Sequence, residues 1–212
     1  IQNQVLTAAP FTVESDWSAA SYWFAFTAIA ETAEIVLPKL LNRSFQGDTA
    51  IMKLMVDLGV ASRFENGLLR LSKKESKQEI RWDFTDCPDL AQTVAVVCAA
   101  KNIKGSFTGL ESLRIKETDR IAALQNELRK IGADLLEHNG ERWTLMPSQS
   151  LPSSCYFQTY KDHRMAMAFA PLSTIMDVEI ERPEVVRKSY PNFWNDMNAV
   201  GFDIQSSSSV LK

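Results

Sequence analysis

The feature that most constrains the fold is an internal repeat with a period of 73 residues. An aspartate precedes the first helix-like stretch of each unit: Asp16, Asp89 and Asp162. These stretches are alanine-rich and mostly apolar, a pattern that predicts a helix after each aspartate. A second, amphipathic pattern follows in each unit and ends near a glycine: Gly59, Gly132 and Gly201. Few residues are identical between units, so the repeat is one of architecture, and its units must pack together to bury a core.

The first unit predicts a β-α-β-α-β-β order, with elements at 11–14, 18–30, 34–37, 51–58, 68–71 and 79–84. Asp48 is expected to cap the second of these helices. The later units predict strands at 106–110, 143–146 and 178–180 and helices at 121–131, 164–176 and 193–200. We therefore predict the α+β class, as one domain of three β-α-β-α-β-β units with buried helices and outer sheets.

Composition narrows the classes of function. The 212 residues are 45% hydrophobic and 23% charged, with a formal charge of −3, which is typical of a soluble globular protein. This balance argues against disorder and against broad nucleic-acid binding. Only eight glycines are present, which leaves little material for glycine-rich phosphate loops. A phosphate would therefore be bound by side chains and helix N-termini.

The cysteine and histidine content favours a reducing compartment and argues against a histidine-rich metal site. Three cysteines without a CxxC pair argue against a disulfide framework and favour the cytosol. Two histidines cannot build a histidine-rich metal site. No apolar stretch is long enough to span a membrane, and no signal peptide is visible. The chain begins with Ile1 rather than Met, so we expect it to be a piece of a longer protein.

Polar residues gather at the predicted helix starts. Lys116, Glu117 and Arg120 stand at the start of an amphipathic helix, and on its first turn Lys116 and Arg120 would share a face, as would Glu117 and Arg120. Two cations beside free backbone N–H groups would form an anion site there. The charge pattern alone fits a solvated, salt-bridged helix start better. His163 and Arg164 open another helix, and a capping Asp162 followed by surface side chains is an equally good interpretation.

Polar residues recur at the predicted helix starts of each unit, and this recurrence favours a functional site. Asp89 and Lys188 also stand at helix starts, where a capping residue and an idle surface lysine are the alternatives. Repeats of one topology bring equivalent helix ends to one face of a domain. The residues expected to converge there are Asp89, Lys116, Glu117, Arg120, His163, Arg164 and Lys188. The four lysine and arginine cations of this set could bind a small polyanion, and its two carboxylates could carry out an acid–base reaction.

Three motifs resemble the 5-enolpyruvylshikimate-3-phosphate (EPSP) synthase family. They are Arg-Ile-Lys-Glu-Thr-Asp-Arg at 114–120, Asp-His-Arg-Met-Ala-Met at 162–167 and Lys-Ser-Tyr-Pro-Asn-Phe-Trp at 188–194. Segments 15–22 and 46–48 are also similar, and the resemblance runs from about 11 to about 203. It corresponds to the C-terminal part of such an enzyme and implies the enolpyruvyl transferase fold. Residues 1–10 would be a remnant of the interdomain region, 11–205 the C-terminal domain and 206–212 a flexible tail.

The resemblance implies a reaction and two catalytic residues. Asp89 matches the base that takes a proton from the 5-hydroxyl of shikimate 3-phosphate. Glu117 matches the acid that protonates the methylene carbon of phosphoenolpyruvate. The hydroxyl then adds to the cationic carbon, and loss of phosphate leaves the enolpyruvyl ether. No metal and no organic cofactor is implied.

The resemblance also implies binding roles. Lys116 matches a contact to the shikimate substrate, and His163 would orient or hydrogen-bond a substrate. The cations that match phosphoenolpyruvate contacts are Arg120, Arg164 and Lys188. Ser112 stands where some members have an asparagine that touches the shikimate.

The implied protein is a cytoplasmic monomer that binds shikimate 3-phosphate and phosphoenolpyruvate, and neither nucleic acid nor a membrane. A missing N-terminal domain of the same polypeptide would supply the other half of the active site. UDP-N-acetylglucosamine 1-carboxyvinyltransferase has the same fold and donor, but it lacks the Lys-Glu-Thr-Asp-Arg pattern. An inactive half-enzyme that only binds anions is a second alternative. A structural homologue without activity is a third, and the complete acid, base and cation set argues against it.

Overall fold

The computed structural model describes residues 13–206, with helices at the centre and sheets around them. The α-helices in this range are α1 (Trp17–Ile29), α2 (Ile51–Asp57), α3 (Ala91–Ala100), α4 (Arg120–Lys130), α5 (His163–Phe169) and α6 (Phe193–Ala199). The strands are β1 (Glu34–Leu37), β2 (Val60–Glu65), β3 (Leu68–Lys73), β4 (Glu79–Asp83), β5 (Lys104–Thr108), β6 (Asp134–His138), β7 (Arg142–Met146), β8 (Ser154–Phe157) and β9 (Asp177–Ile180). Short 3₁₀ helices cover Gly47–Ala50, Pro88–Leu90, Glu111–Ile115, Ala170–Thr174 and Pro183–Lys188.

The sheet topology displays the repeat. The order β1-β3-β2 in the first sheet recurs as β5-β7-β6 in the second, with antiparallel pairing in both. The parallel pair β4-β5 recurs as β8-β9. The second unit therefore shows the complete predicted order, β4-α3-β5-α4-β6-β7. The α+β class is confirmed.

Several predicted elements need correction. β4 pairs in parallel with β5, so it opens the second unit and does not close the first. Asp48 lies in the 3₁₀ turn before α2 and does not cap that helix. α5 ends at Phe169 and continues as a 3₁₀ helix, because Pro171 has no N–H for the α-helical pattern.

Both ends of the chain lie partly outside the described residues 13–206. The predicted strand at 11–14 lies half outside the described residues, and 13–14 belong to no strand. The predicted remnant at 1–10 and all but the first residue of the predicted tail at 206–212 also lie outside. The division at 11–205 stays a prediction. β2, β6 and β8 went unpredicted because their residues do not alternate cleanly between buried and exposed positions.

The central layer consists of α1, α3 and α5, which begin the helical part of each unit. Nearly every residue of these helices is buried, as expected for helices that are apolar on all sides. Their alanines permit close approach, and polar contacts cross between them. Ser21 Oγ lies 3.4 Å from Thr93 Oγ1, and Gln92 Nε2 donates to Met165 Sδ at 3.0 Å. Within residues 13–206, no helix combines the length and apolar character needed to cross a bilayer.

Gly109, directly after β5, packs closely against the end of β4 and the segment that follows it. Its φ is +73°, and an added Cβ would overlap the Thr85 backbone nitrogen and lie 2.6 Å from Asp83 Oδ1. Gly67 has a φ of +77°, but an added Cβ there would meet nothing within 4 Å. We expect Gly67→Ala to lower the free energy of unfolding by about 1–2 kcal/mol through left-handed strain alone. Gly109→Ala should cost about 1–3 kcal/mol more, because backbone must move. Urea denaturation measures both, and equal losses would contradict the described packing.

Candidate active site

Arg120 lies at the centre of the charged cluster. It is the first residue of α4, and its side chain is 2% exposed. Its Nε donates to Asp162 Oδ2 at 2.6 Å, and its Nη atoms donate to Asp89 Oδ1 at 2.9 Å and to Glu117 Oε2 at 2.6 Å. Burying a guanidinium is strongly unfavourable unless it is paired, so these carboxylates allow Arg120 to lie here.

A second guanidinium, that of Arg164, also contacts Asp89. Arg164 Nη2 donates to Asp89 Oδ2 at 2.8 Å, while Arg120 occupies Oδ1. Arg164 is held in place because Asp162, the N-cap of α5, accepts from the Arg164 backbone nitrogen at 2.8 Å. Asp89 lies in the 3₁₀ turn before α3 and makes no cap bond there, so the alternative of a capping residue is wrong. Two arginines from different units thus share one carboxylate.

Glu117 forms ion pairs with two cations, Arg120 and Lys188. Its Oε2 accepts from Arg120, and its Oε1 pairs with Lys188 Nζ at the end of the 3₁₀ helix Pro183–Lys188. The hydrogen bond from Lys188 is the largest cause that lowers the pKa of Glu117 to about 2, with Arg120 adding to it. Glu117 is therefore ionised at neutral pH in this arrangement. Lys188 is not idle, although its side chain is 59% exposed.

His163 and Lys116 complete the predicted set in different ways. His163 is buried, and its Nδ1 lies 3.6 Å from Asp162 Oδ1. Burial lowers the pKa of His163 while Asp162 opposes the shift, so the neutral ring is favoured at pH 7. Lys116 is exposed and forms no ion pair within residues 13–206. The structure thus gathers six of the seven predicted residues and leaves Lys116 out of the network.

Two details of the predicted helix start are wrong. α4 begins at Arg120, so Lys116 and Glu117 precede the helix and Lys116 does not share a helical face with Arg120. Asp119 is the N-cap and accepts from the Ala122 backbone nitrogen at 3.0 Å. One of the N–H groups expected to bind an anion is therefore already used.

Sequence reasoning missed three participants. Asp162 was predicted only as a cap, yet it also binds Arg120; its 73-residue spacing from Asp89 was the signal. Ser18 lies 3.4 Å from Arg164 Nη2 and donates its hydroxyl to Asp48. Burial raises the pKa of Asp48 against that hydrogen bond.

The arrangement combines proton-transfer groups with cations. Asp89 and Glu117 are held by the same guanidinium and are flanked by Arg164 and Lys188. Cations of this kind bind carboxylates and phosphates, and arginine does so with two parallel hydrogen bonds. The cluster can therefore hold an anionic molecule beside two carboxyl groups that accept or donate protons.

Two solved structures are similar to this chain in fold. The EPSP synthase from Acinetobacter baumannii superposes with a TM-score of 0.70 at 23% identity, over 92% of this chain and 48% of that one. The enolpyruvyl transferase NikO from Streptomyces tendae gives a TM-score of 0.62 at 12% identity, over 92% and 45%. These identities are low, so the likeness shows the fold alone. It confirms the predicted enolpyruvyl transferase fold.

Sequence relatives specify the family within that fold. The family model for EPSP synthase (3-phosphoshikimate 1-carboxyvinyltransferase) matches residues 2–197. The 3-phosphoshikimate 1-carboxyvinyltransferase of Bacteroides fragilis strain YCH46 is 46% identical over 205 residues, which is 92% of this chain and 48% of that protein. The one from Methanobrevibacter smithii is 33% identical, over 97% and 46%. The chain belongs to the EPSP synthase family, and it spans about half the length of the curated relatives it matches.

The pairing of Glu117 with Lys188 predicts a pH effect. Because the pKa of Glu117 is lowered from 4.5 to about 2, its ion pairs stabilise the fold fully above about pH 4.5. This stabilisation is lost as the pH falls toward 2. In Lys188→Met the carboxyl group should titrate closer to its ordinary range, as followed by ¹³C NMR of Glu117.

Lys116→Met is the matched control, because it removes an adjacent lysine that forms no ion pair within residues 13–206. The titration of Glu117 should stay near its original position in that variant. An equal shift in both variants would show that general surface charge, and not the Lys188 contact, lowers the pKa.

Proposed function

We propose that this chain supplies half of the active site of a 3-phosphoshikimate 1-carboxyvinyltransferase. The reaction transfers the enolpyruvyl group of phosphoenolpyruvate to the 5-hydroxyl of shikimate 3-phosphate and releases phosphate. One observation carries the proposal: two carboxylates, Asp89 and Glu117, share the buried guanidinium of Arg120 and each binds a further cation. Family membership supports the same reaction.

The two carboxylates have opposite tasks in this reaction. Asp89 takes the proton of the 5-hydroxyl, while Glu117 gives a proton to the methylene carbon of phosphoenolpyruvate. The hydroxyl oxygen bonds to the adjacent carbon and forms a tetrahedral adduct. The methyl group then returns a proton to Glu117 while Asp89 gives its proton to the departing phosphate. The C–O bond to phosphate breaks with its electron pair on that oxygen, and the double bond is restored. The number of protons balances over the two steps.

Glu117 can act as an acid only if its surroundings change. With Lys188 and Arg120 bound to it, its pKa of about 2 keeps it ionised. A phosphate or carboxylate that takes Lys188 as its own partner withdraws the main cause of this shift and adds a negative charge nearby. Both effects raise the pKa of Glu117. Substrate binding itself would thus prepare the acid.

Substrate anions compete with protein carboxylates for the cations. Arg164 is held by Asp89, Lys188 by Glu117, and Arg120 by both and by Asp162. Four hydrogen bonds from Arg120 leave one of the five guanidinium N–H groups uncommitted. We infer that phosphoenolpyruvate binds chiefly to Arg164 and Lys188, with Arg120 adding one bond and orienting both catalytic carboxylates. Lys116 and His163 remain our candidates for contacts to the substrates.

The remaining groups of the site are assigned to another part of a longer polypeptide. The chain spans about half of its curated relatives, so we infer that residues 1–212 alone do not turn over substrate. The free thiols of Cys87, Cys98 and Cys155 support our expectation that the protein is located in the cytoplasm. We keep the expectation of a monomer.

Phosphate release by the longer polypeptide that contains this chain tests the function. With shikimate 3-phosphate and phosphoenolpyruvate present, Asp89→Asn and Glu117→Gln should each lower kcat at least about 100-fold, the usual loss for a general acid or base. The 212-residue chain assayed alone should release no phosphate above background.

Glu141→Gln is the control, because Glu141 is exposed in the β6–β7 turn. It should keep full activity. Wild-type turnover in Asp89→Asn or in Glu117→Gln would refute the assigned roles, and absence of turnover in the unmodified longer polypeptide would refute the function.

A further inference from the structure

The turn that leads into α5 has an unfavourable backbone conformation. Tyr160 and Lys161 have φ values of 54° and 60°, so two successive residues other than glycine lie in the left-handed region. A side chain at such a position crowds the backbone, and two in a row persist only where surrounding contacts hold them. Contacts from neighbouring residues must therefore hold this turn, residues 158–161, in its conformation.

This turn determines where Asp162 lies. The Asp162 backbone nitrogen donates to the Thr159 carbonyl at 2.8 Å and closes the turn. Asp162 is fully buried, binds Arg120 and caps α5, and His163 and Arg164 follow it directly. Any movement of the turn would displace these three residues together.

Glu127 of α4 grips the turn. Its side chain is 0% exposed. Oε1 accepts from the Tyr160 hydroxyl at 2.8 Å, and Oε2 accepts from the Gln158 backbone nitrogen at 2.9 Å. Lys130 Nζ donates to Oε2 at 2.6 Å and balances the buried charge. Two of the three hydrogen bonds of Glu127 therefore hold the strained segment.

Helix α4 holds the turn at both ends. Glu127 lies seven residues after Arg120, which is two helical turns, so both side chains point from the same face of α4. Arg120 binds Asp162 just after the strained residues, while Glu127 binds Gln158 and Tyr160.

We propose that Glu127 is a positioning residue: by holding the left-handed turn, it keeps Asp162, His163 and Arg164 in register with Arg120. Its effect on turnover rests on the proposed function, whereas its effect on the geometry does not. Glu127 contacts no catalytic group itself.

Two substitutions separate the hydrogen bonds from the charge. Glu127→Leu keeps a similar volume but cannot accept from Gln158 or Tyr160. Glu127→Gln loses the charge, yet its oxygen can accept from the Gln158 nitrogen and its amide can donate to the Tyr160 hydroxyl. The matched control is Gln125→Leu, which removes a hydrogen bond of 2.9 Å from α4 to the Leu135 carbonyl on β6 and leaves the turn alone.

Kinetics of the longer polypeptide, well below its melting temperature, give the first readout. Glu127→Leu should lower kcat/KM at least about tenfold, and Glu127→Gln should restore it to within about threefold of the original. Gln125→Leu should lower the melting temperature with kcat/KM unchanged. A purely structural role for Glu127 would make Glu127→Leu behave like Gln125→Leu, which would overturn the proposal.

Ring C–H signals in NMR spectra of the 212-residue chain give a readout that needs no turnover. The chain has two histidines, so exposed His138 serves as an internal reference for buried His163. Glu127→Leu should shift the His163 signals and leave those of His138 in place. Unshifted His163 signals in a folded variant would overturn the proposal even if the assay fails for another reason.

Tyr160→Phe keeps the test decisive if Glu127→Leu does not fold. It removes one of the two hydrogen bonds to the turn and should move the His163 signals in the same direction by a smaller amount. No movement in Tyr160→Phe would then count against the proposal.

Discussion

The buried guanidinium of Arg120 is the interaction on which the site depends. It joins Asp162 of the third unit to Asp89 and Glu117 of the second, and Asp89 in turn binds Arg164. A charge at this depth is tolerated because several carboxylates surround it. The same dependence runs the other way, because Asp162 is fully buried and Arg120 is its cationic partner. The three-unit architecture and the charged cluster therefore stabilise one another.

In the function that we propose, the pairing of charges explains how a chain with an overall charge of −3 would bind anionic substrates. Net charge describes the whole surface, whereas the cations here are concentrated where units meet. Arg120, Arg164 and Lys188 each have a carboxylate partner, so a phosphate that binds them would exchange partners with these carboxylates. We propose that this exchange couples binding to proton transfer, because Lys188, which a substrate anion would take as its partner, is paired with Glu117. On this proposal the competition lowers the affinity for substrate, and the acid forms only when substrate is bound.

The sequence predicted the fold class and the convergence of six side chains because the repeat places equivalent helix ends on one face. Asp162 shows the limit of this reasoning: its spacing identified a helix cap, but only the packing of α4 against α5 reveals that it also binds Arg120. Glu127 was not predicted, because a glutamate on an amphipathic helix is normally solvated, and its burial depends on the turn at 158–161. Lys116 lies outside the ion-pair network for a local reason: it precedes α4, which begins at Arg120, and so does not share a helical face with Arg120.

A double-mutant cycle between Arg120 and Asp162 tests the central claim most directly. The free energies of unfolding of Arg120→Met, Asp162→Asn and the double variant give the coupling between the two units. If Arg120 is the common partner that joins them, each single change should be strongly destabilising, and the double change should cost less than their sum by about 1.5 kcal/mol or more. Additive losses, with a coupling energy near zero, would contradict the account.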